Sequence, residues 1–295
     1  MLRGRAVAAA LYQFVGSAPA LHVRARSFYM TLSIVILTWN SSRHIEDCLN
    51  SLLSTIGEPL KPFEIFVVDN GSTDRTRAIL SRYQTDFPEV IKPIFLESNT
   101  GTTYSRNLAL RKAAGSYIAI LDSDVIIPGD IFTPLVAFLD GSSRTGMVVP
   151  RLLYGNGAYQ KSTDNFPTLL SKARRYLFLK GMEKRERQPA QAPRCVDYAI
   201  SAFWLLKKEV VAQVGLLDEK IFYAPEDVDY CLRVWRKGYR IVYLPDVEVI
   251  HNAQEISRGF RINRAFIAHL TGLLYFFRKH GYWLKKPCFV DHEEN

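Results

Sequence analysis

Cysteine is scarce in this sequence, and the four present (Cys48, Cys195, Cys231 and Cys288) are widely scattered. No C-x-x-C pair occurs, so neither a zinc site nor a disulfide framework is indicated, and reduced thiols are the simplest reading. Long apolar runs are missing: nothing reaches the roughly 18 residues that a membrane-spanning helix needs. Glycine-rich phosphate cradles are missing too. Neither G-x-G-x-x-G nor G-x-x-x-x-G-K-[ST] follows a strand-like segment, so phosphate binding cannot rest on a glycine loop. Acidic residues are absent from residues 1–30, which hold Arg3, Arg5, Arg24 and Arg26. The other basic excess is in 252–286, where seven Lys or Arg face only Glu255. With three acids in the tail, the body 31–251 carries only +2 of the net +9. No basic stripe interleaved with aromatics runs along the body, so nucleic acid is not an expected partner.

At 295 residues the chain suits one large α/β domain with a sizeable core. Residues 1–29 form an N-terminal extension with three readings. Arg3 and Arg5, an apolar stretch and Ala18-Pro-Ala20 resemble a secretory signal. An Arg-rich, acid-free organelle presequence fits equally well. The preferred reading takes Met30, directly before the first strand, as the true start.

The chain is organised around Ser116 to Pro128. Its first half is short and apolar, bounded by Gly115, and reads as a buried central strand. Asp122 and Asp124 follow at its carboxyl end, where open α/β sheets bind ligands. Two carboxylates that point the same way suit a hard divalent cation, which takes its remaining ligands from water and phosphate. The plain alternative is a solvated turn.

Other strands read the same way. Leu32 to Thr38 is apolar and β-branched, ending at Thr38, Trp39 and Asn40. Ser41 or Ser42 is expected to cap a helix that carries Ile45, Cys48, Leu49, Leu52 and Leu53 on one side. Phe63 to Val68 ends at Asp69, and Thr73 or Asp74 caps the next helix. Ile91 to Leu96 precedes the turn Asn99-Thr100-Gly101 and a helix to Ala114. Strand and helix alternate through the 116–122 strand, which implies parallel strands with right-handed crossovers. The parallel arrangement gathers the polar strand ends on one edge.

Further along, Asp130 to Leu139 is expected to be helical and Gly146 to Pro150 a strand, with a polar loop over 155–166. Leu169 to Leu179 reads as a basic amphipathic helix. Residues 181–194 read as a mobile loop or lid, a plain surface loop being the alternative. Val196 to Leu206 reads as a strand with small residues Ala199, Ser201 and Ala202, open to a ligand or simply close-packed. Glu209 to Val214 is a short helix. Glu226 to Lys237 is a helix with Asp227 in its first turn, where the dipole favours an anion, and Gly238 at its end. Arg240 to Leu244 and Val247 to Ile250 are strands, the second closed by His251. A basic amphipathic helix spans Ile256 to Tyr282 with Trp283 beside it, and fits an anionic membrane surface or the body of the domain.

Six motifs in order make the reading specific: Thr-Trp-Asn (38–40), Val-Val-Asp-Asn-Gly-Ser-Thr-Asp (67–74), Asn-x-Gly (99–101), Ser-Arg-Asn (105–107), Leu-Asp-Ser-Asp (121–124) and Glu-Asp-Val-Asp-Tyr-Cys-Leu-Arg (226–233), followed by His251. Together they resemble the family 2 glycosyltransferases over about 31–251. The later block is similar to the rhamnosyltransferase-like bacterial branch. The resemblance implies an α/β GT-A nucleotide-sugar-binding sheet, mostly parallel with helices on both faces, as domain 30–251. Residues 252–295 follow as a C-terminal amphipathic helix and tail.

The activity it implies is inverting transfer from a nucleoside-diphosphate sugar, dTDP- or UDP-linked, to a saccharide or lipid-linked acceptor of surface polysaccharide synthesis. Asp227 is the expected base and Glu226 its partner, orienting the acceptor or the base. Mg²⁺ or Mn²⁺ is expected on Asp122, Asp124 and His251. Thr38, Asn40, Asp69, Asn99, Arg106 and Asp122 are expected on the donor. For Arg106 a phosphate fork competes with an ordinary helix-surface arginine. Nucleotide sugars are cytoplasmic, which places the protein there, peripheral on the inner face of the membrane. Two alternatives differ in class: a haloacid-dehalogenase-type phosphatase, from the Asp-Ser-Asp strand end, and a non-catalytic nucleotide-sugar-binding protein on the membrane.

Overall fold

The computed structural model describes residues 31–171, 190–253 and 264–289. The first half alternates as its apolar runs demand: β1 (Leu32–Thr38), α1 (Ile45–Thr55), β2 (Phe63–Asp69), α2 (Thr76–Asp86), β3 (Ile91–Phe95), α3 (Thr102–Leu110) and β4 (Tyr117–Asp122). Next come β5 (Val125–Ile126), α4 (Phe132–Asp140), β6 (Thr145–Leu153), β7 (Tyr159–Gln160) and β8 (Thr163–Asp164). The second half holds β9 (Arg194–Cys195), β10 (Tyr198–Ala199), β11 (Phe203–Lys207), α5 (Lys208–Val214), α6 (Glu226–Arg236), β12 (Arg240–His251) and α7 (Arg264–His280).

The main sheet runs in the order β3-β2-β1-β4-β11-β6-β12-β5. Strands β1 to β4 are mutually parallel, β11 runs antiparallel between β4 and β6, and β12 is parallel to β6. Adjacent residues of β1 feed opposite cores. Ile34 and Ile36 pack with Leu49, Leu52 and Phe132 of α1 and α4, whereas Val35 packs with residues of α3, α5, α6 and α7. Both sheet faces are therefore covered, which is why the strands read as continuous apolar runs rather than alternating ones. Phe276 and Phe277 of α7 are wholly buried against the second face. Each such ring contributes about 1.5–3 kcal/mol on burial, enough to hold α7 on the body.

Several local expectations shift. Neither Ser41 nor Ser42 caps α1, which begins at Ile45 after His44 with no side-chain cap. Ser41 instead accepts from His44 N and Ile45 N through its carbonyl, and its own N donates to Thr76 Oγ1 at 2.9 Å. Neither Thr73 nor Asp74 is the cap of α2, which begins at Thr76 after Arg75, although Asp74 Oδ1 accepts from Thr76 N at 3.0 Å. The single strand expected over 196–206 is two. Ile200 N turns away to Ser162 O, so β10 joins β8 in a separate small sheet while β11 enters the main one. The two strands expected over 240–250 are one, β12, with a register break between Leu244 and Glu248. Among the described residues the C-terminal helix covers 264–280, ending two residues short of the expected Tyr282; residues 256–263, and most of the segments expected as a basic helix and lid within 172–189, lie outside the described residues. So do residues 1–29.

Candidate functional site

The parallel register brings the polar ends together. Thr38 pairs with Asp69 across β1 and β2, and Leu37 pairs with Asp122 across β1 and β4. Asp69 is wholly buried and accepts from Arg77 Nε at 2.7 Å and Ser72 N at 3.3 Å through Oδ2. Its other oxygen, and the hydroxyl of Thr38 beside it, have no hydrogen-bond partner among the described residues. Buried polar atoms are normally satisfied, and leaving one unmade costs on the order of 1–3 kcal/mol. The pair is a ready acceptor and donor for a bound polar ligand.

Asn40 and Asn99 hold the rim. Asn40, at φ +50°, accepts from Thr73 N at 2.8 Å, and its own N donates to Ser72 Oγ, tying the loop after β1 to that after β2. Asn99 Oδ1 accepts from Gly101 N and from Asn70 Nδ2, both at 3.0 Å. Asn70, buried and not anticipated as a site residue, also accepts from Thr100 N. Gly101 lies at φ +87°, and a Cβ there would meet Phe222 O at 2.3 Å. Only glycine allows that close approach of the α3 start to the loop before α6.

The carboxylates converge on the next strand ends. After β4 the Ser123 turn returns the chain into β5, which pairs antiparallel with the end of β12 and sets His251 opposite Val125. His251 Nε2 lies 3.2 Å from Asp124 Oδ1 and 3.9 Å from Asp122 Oδ2. Asp122, Asp124 and His251 each offer one ligand atom, all within 4.8 Å of one another. His251 Nδ1 stands 2.9 Å from Gln160 Oε1. An oxygen there accepts, so Nδ1 carries a proton, and Nε2 is the nitrogen aimed at the two aspartates, hydrogen-bonding Asp124 when protonated and offering a lone pair to a cation when not. That partnership is the usual way a metal-binding imidazole is oriented. Two carboxylate oxygens and one imidazole fit Mn²⁺, or Mg²⁺ with water in further positions. Burial would lower the His251 imidazole, but the hydrogen bond and charge of Asp124 outweigh it and hold it above its ordinary value. Burial likewise opposes the charge of Asp124, yet His251 keeps it below the usual carboxylate range. Asp122 moves up instead: burial leads, Arg106 opposes, and the like charge of Asp124 adds.

Arg106 is not a helix-surface arginine. It projects from α3 into the molecule, only 2% exposed. Nη2 donates to Asp122 Oδ1 at 2.6 Å, Nη1 donates to Ser201 Oγ at 2.8 Å and lies 3.5 Å from Glu226 Oε1. Both terminal nitrogens are thus given to protein acceptors, and the fork reaches two carboxylates. Glu226 is buried at the start of α6, and burial and then Asp227 push its carboxyl up to about 8, with Arg106 opposing. Asp227 is half-buried in the first turn of the same helix, and its Oδ1 accepts from Val228 N at 2.8 Å. One line of contacts therefore runs from Asp124 and His251 through Asp122 and Arg106 to Glu226 and its neighbour Asp227. Ser201, noted in the sequence only as small, is a bridge in that line. Gln160 had no signal in its polar loop.

The model of the family described as "Glycosyl transferase family 2" matches residues 33–215. The chain belongs to that family. Its relatives include the N-acetylglucosaminyl-diphospho-decaprenol L-rhamnosyltransferase of Mycobacterium tuberculosis, 26% identical over 280 residues, 87% of each chain. Glycosyltransferase AglE of Haloferax volcanii is 25% identical over 241 residues, 80% of this chain and 73% of that one. Among solved structures, GalNAc-T7 with UDP, GalNAc and Mn²⁺ aligns with a TM-score of 0.63 at 18% identity, covering 85% of this chain and 48% of that one. The mannosyltransferase PcManGT of Pyrobaculum calidifontis, with GDP-Man and Mn²⁺, aligns at 0.58 and 21% identity over 97% and 72% of the chains. The expected glycosyltransferase assignment and GT-A fold hold, and the phosphatase alternative falls away.

Proposed function

We propose that this family 2 glycosyltransferase is an inverting enzyme that moves a sugar from a nucleoside-diphosphate donor, dTDP- or UDP-linked, to a saccharide or lipid-linked acceptor. The observation that carries the reading is the cluster Asp122, Asp124 and His251 at the sheet edge, beside the unpartnered Asp69 Oδ1 and Thr38 Oγ1. Asp69 and Thr38 take the base and ribose end of the donor. Asn40 and Asn99 shape that end by bracing the loops around it. Bound at the three-residue cluster, Mg²⁺ or Mn²⁺ supplies Lewis-acid neutralisation of the diphosphate.

Asp227 accepts the proton of the acceptor hydroxyl as its oxygen bonds to the anomeric carbon. The bond from that carbon to the diphosphate breaks on the opposite face, the pair of electrons leaving with the diphosphate. Glu226, whose carboxyl burial pushes up to about 8, orients the acceptor or the base. Arg106 keeps the two halves of the site in register. A second reading exchanges the two roles, since a carboxyl raised toward neutrality is also suited to general-base work.

A lipid-linked acceptor, like the diphospho-decaprenol in the name of the mycobacterial relative, accords with the basic C-terminal segment and with exposed Leu270, Leu274, Trp283 and Leu284. Among the described residues no helix is long and apolar enough to cross a membrane; the reading places the attachment on the cytoplasmic face because nucleotide sugars are cytoplasmic. The direct experiment is a panel of nucleotide sugars assayed for donor turnover with crude lipid and saccharide acceptors. Transfer from one donor class supports the reading. Nucleotide binding without turnover of any donor favours the non-catalytic alternative.

A further inference from the structure

Between α5 and α6 the chain passes from Asp218 to Pro225 in no regular element and then presents Glu226 and Asp227. One flank of this segment is tied to α3: Thr103 Oγ1 donates to Ile221 O and Thr102 N to Phe222 O, both at 2.7 Å. The other flank is covered by α7. Gly272 lies so close to Ala224 that a Cβ on it would stand 2.2 Å from Ala224 O. Farther along the helix, Tyr275 Oη donates to Asp218 Oδ2 at 2.8 Å. Lys279 Nζ donates to the same oxygen at 2.7 Å and to Asp229 Oδ1 at 2.6 Å.

Asp229 is the buried centre of this contact, its side chain 1% exposed. Its Oδ1 also accepts from His280 Nε2 at 2.7 Å, and its Oδ2 from Arg233 Nε at 2.9 Å. His280 Nδ1 faces Arg236 Nη1 at 2.9 Å. A guanidinium only donates, so Nδ1 accepts and Nε2 carries the proton that Asp229 receives. The histidine needs no charge for this role. Lys279 is different, because its single ammonium reaches two carboxylates on opposite sides of the Glu226–Asp227 pair. Exposed ion pairs contribute little, but a partly buried one with several hydrogen bonds fixes geometry.

We infer that Lys279 is a positioning residue for sugar transfer: it staples Asp218 to Asp229, the two ends of the segment carrying Glu226 and Asp227, and so holds Glu226 near Arg106 with Asp227 beside it. The inference rests on the proposed roles of Glu226 and Asp227. It makes α7 a working part of the catalytic unit. Lys279 touches no substrate, and donor binding depends on other residues, Asp69, Asp122 and Asp124.

The test uses the full chain with Lys279→Met, Lys279→Arg, Tyr275→Phe and Asp227→Asn, at a temperature well below each variant's Tm. Rates are normalised to the number of nucleotide-binding sites measured by calorimetry with UDP and Mn²⁺. Misplacing a catalytic group by about 1 Å costs up to ~10²-fold, so Lys279→Met should lower kcat about 10- to 100-fold with donor Kd unchanged. Lys279→Arg keeps a multi-donor cation and recovers most of the rate. Tyr275→Phe leaves the staple in place and stays near wild type. Hydrogen exchange in Lys279→Met speeds up over 219–228 while β1 to β4 keep their protection. Wild-type kcat and unchanged exchange in Lys279→Met, with Asp227→Asn impaired, overturn the staple alone. A fully active Asp227→Asn removes the base, and the inference falls with it. Donor affinity lost in parallel with rate also overturns it, since general unfolding then accounts for the loss.

Discussion

Replacing Asp229 by Asn gives the sharpest energetic prediction. The side chain keeps its shape and loses its charge; Lys279 keeps Asp218, but the partly buried Arg233 loses its carboxylate, and the amide offers one acceptor oxygen where the carboxylate offered two. Breaking a buried ion pair from one side costs about 3–5 kcal/mol. The charge-dependent share follows from the carboxyl itself. Burial disfavours its ionised form, yet His280, Arg233 and Lys279 hold it down at about 2, against an ordinary 3.8. That difference corresponds to about 2.5 kcal/mol of stability. Because the folded value is the lower one, the stabilisation is complete above about pH 4 and disappears as pH falls through 2, about half of it by pH 3. Urea unfolding of wild type and Asp229→Asn, followed by far-UV dichroism from pH 7 to pH 2.5, measures the gap directly. The gap should be about 3–5 kcal/mol at pH 7 and shrink steadily below pH 4. A gap below about 1 kcal/mol at neutral pH, in the range of an exposed pair, or one that stays constant down to pH 2.5, refutes the reasoning.

Other consequences are quicker to check. Asp227→Asn should depress transfer by about 10²–10⁴-fold with donor affinity little changed, and Glu226→Gln should hurt less. If the roles are exchanged, Glu226→Gln is the inactive variant, and the wild-type rate climbs with pH through about 8 as that carboxyl loses its proton. Sedimentation with liposomes should show binding to anionic vesicles that weakens as salt rises; equal binding to neutral vesicles contradicts a membrane role for the basic C-terminal segment.

Much of the fold was legible because its strands are buried on both faces. Apolar runs such as Leu32–Leu37 and Tyr117–Leu121, each ended by a polar residue, announce strand, end and edge at once. Parallel crossovers then place Thr38, Asp69 and Asp122 side by side with no further information. His251 was legible as a strand end and, with the family resemblance, as a candidate metal ligand, but its approach to Asp124 depends on the short β5 pairing, which two residues cannot signal. For Arg106 the sequence left a phosphate fork and a solvated helix face both open, because nine residues with polar side chains do not announce a buried helix; here Thr103, Ser105, Arg106 and Asn107 are all buried under the loop before α6. That burial is set by residues more than a hundred positions away, such as Leu217 O, which accepts from Asn107 Nδ2. The Lys279 staple is hidden for the same reason. Its partners lie 50 and 61 positions earlier, and each taken alone is an ordinary surface charge.

The claim on which everything else stands is that the strand-end carboxylates hold a divalent cation together with a nucleoside diphosphate. Calorimetry with UDP and with dTDP, with and without Mn²⁺, on wild type, Asp122→Ala and Asp124→Ala tests it most directly. The account predicts that Mn²⁺ tightens nucleotide binding in the wild type and no longer does so in either variant, both retaining wild-type far-UV dichroism. Nucleotide affinity indifferent to Mn²⁺ in the wild type, or Mn²⁺ dependence surviving in both variants, would contradict it.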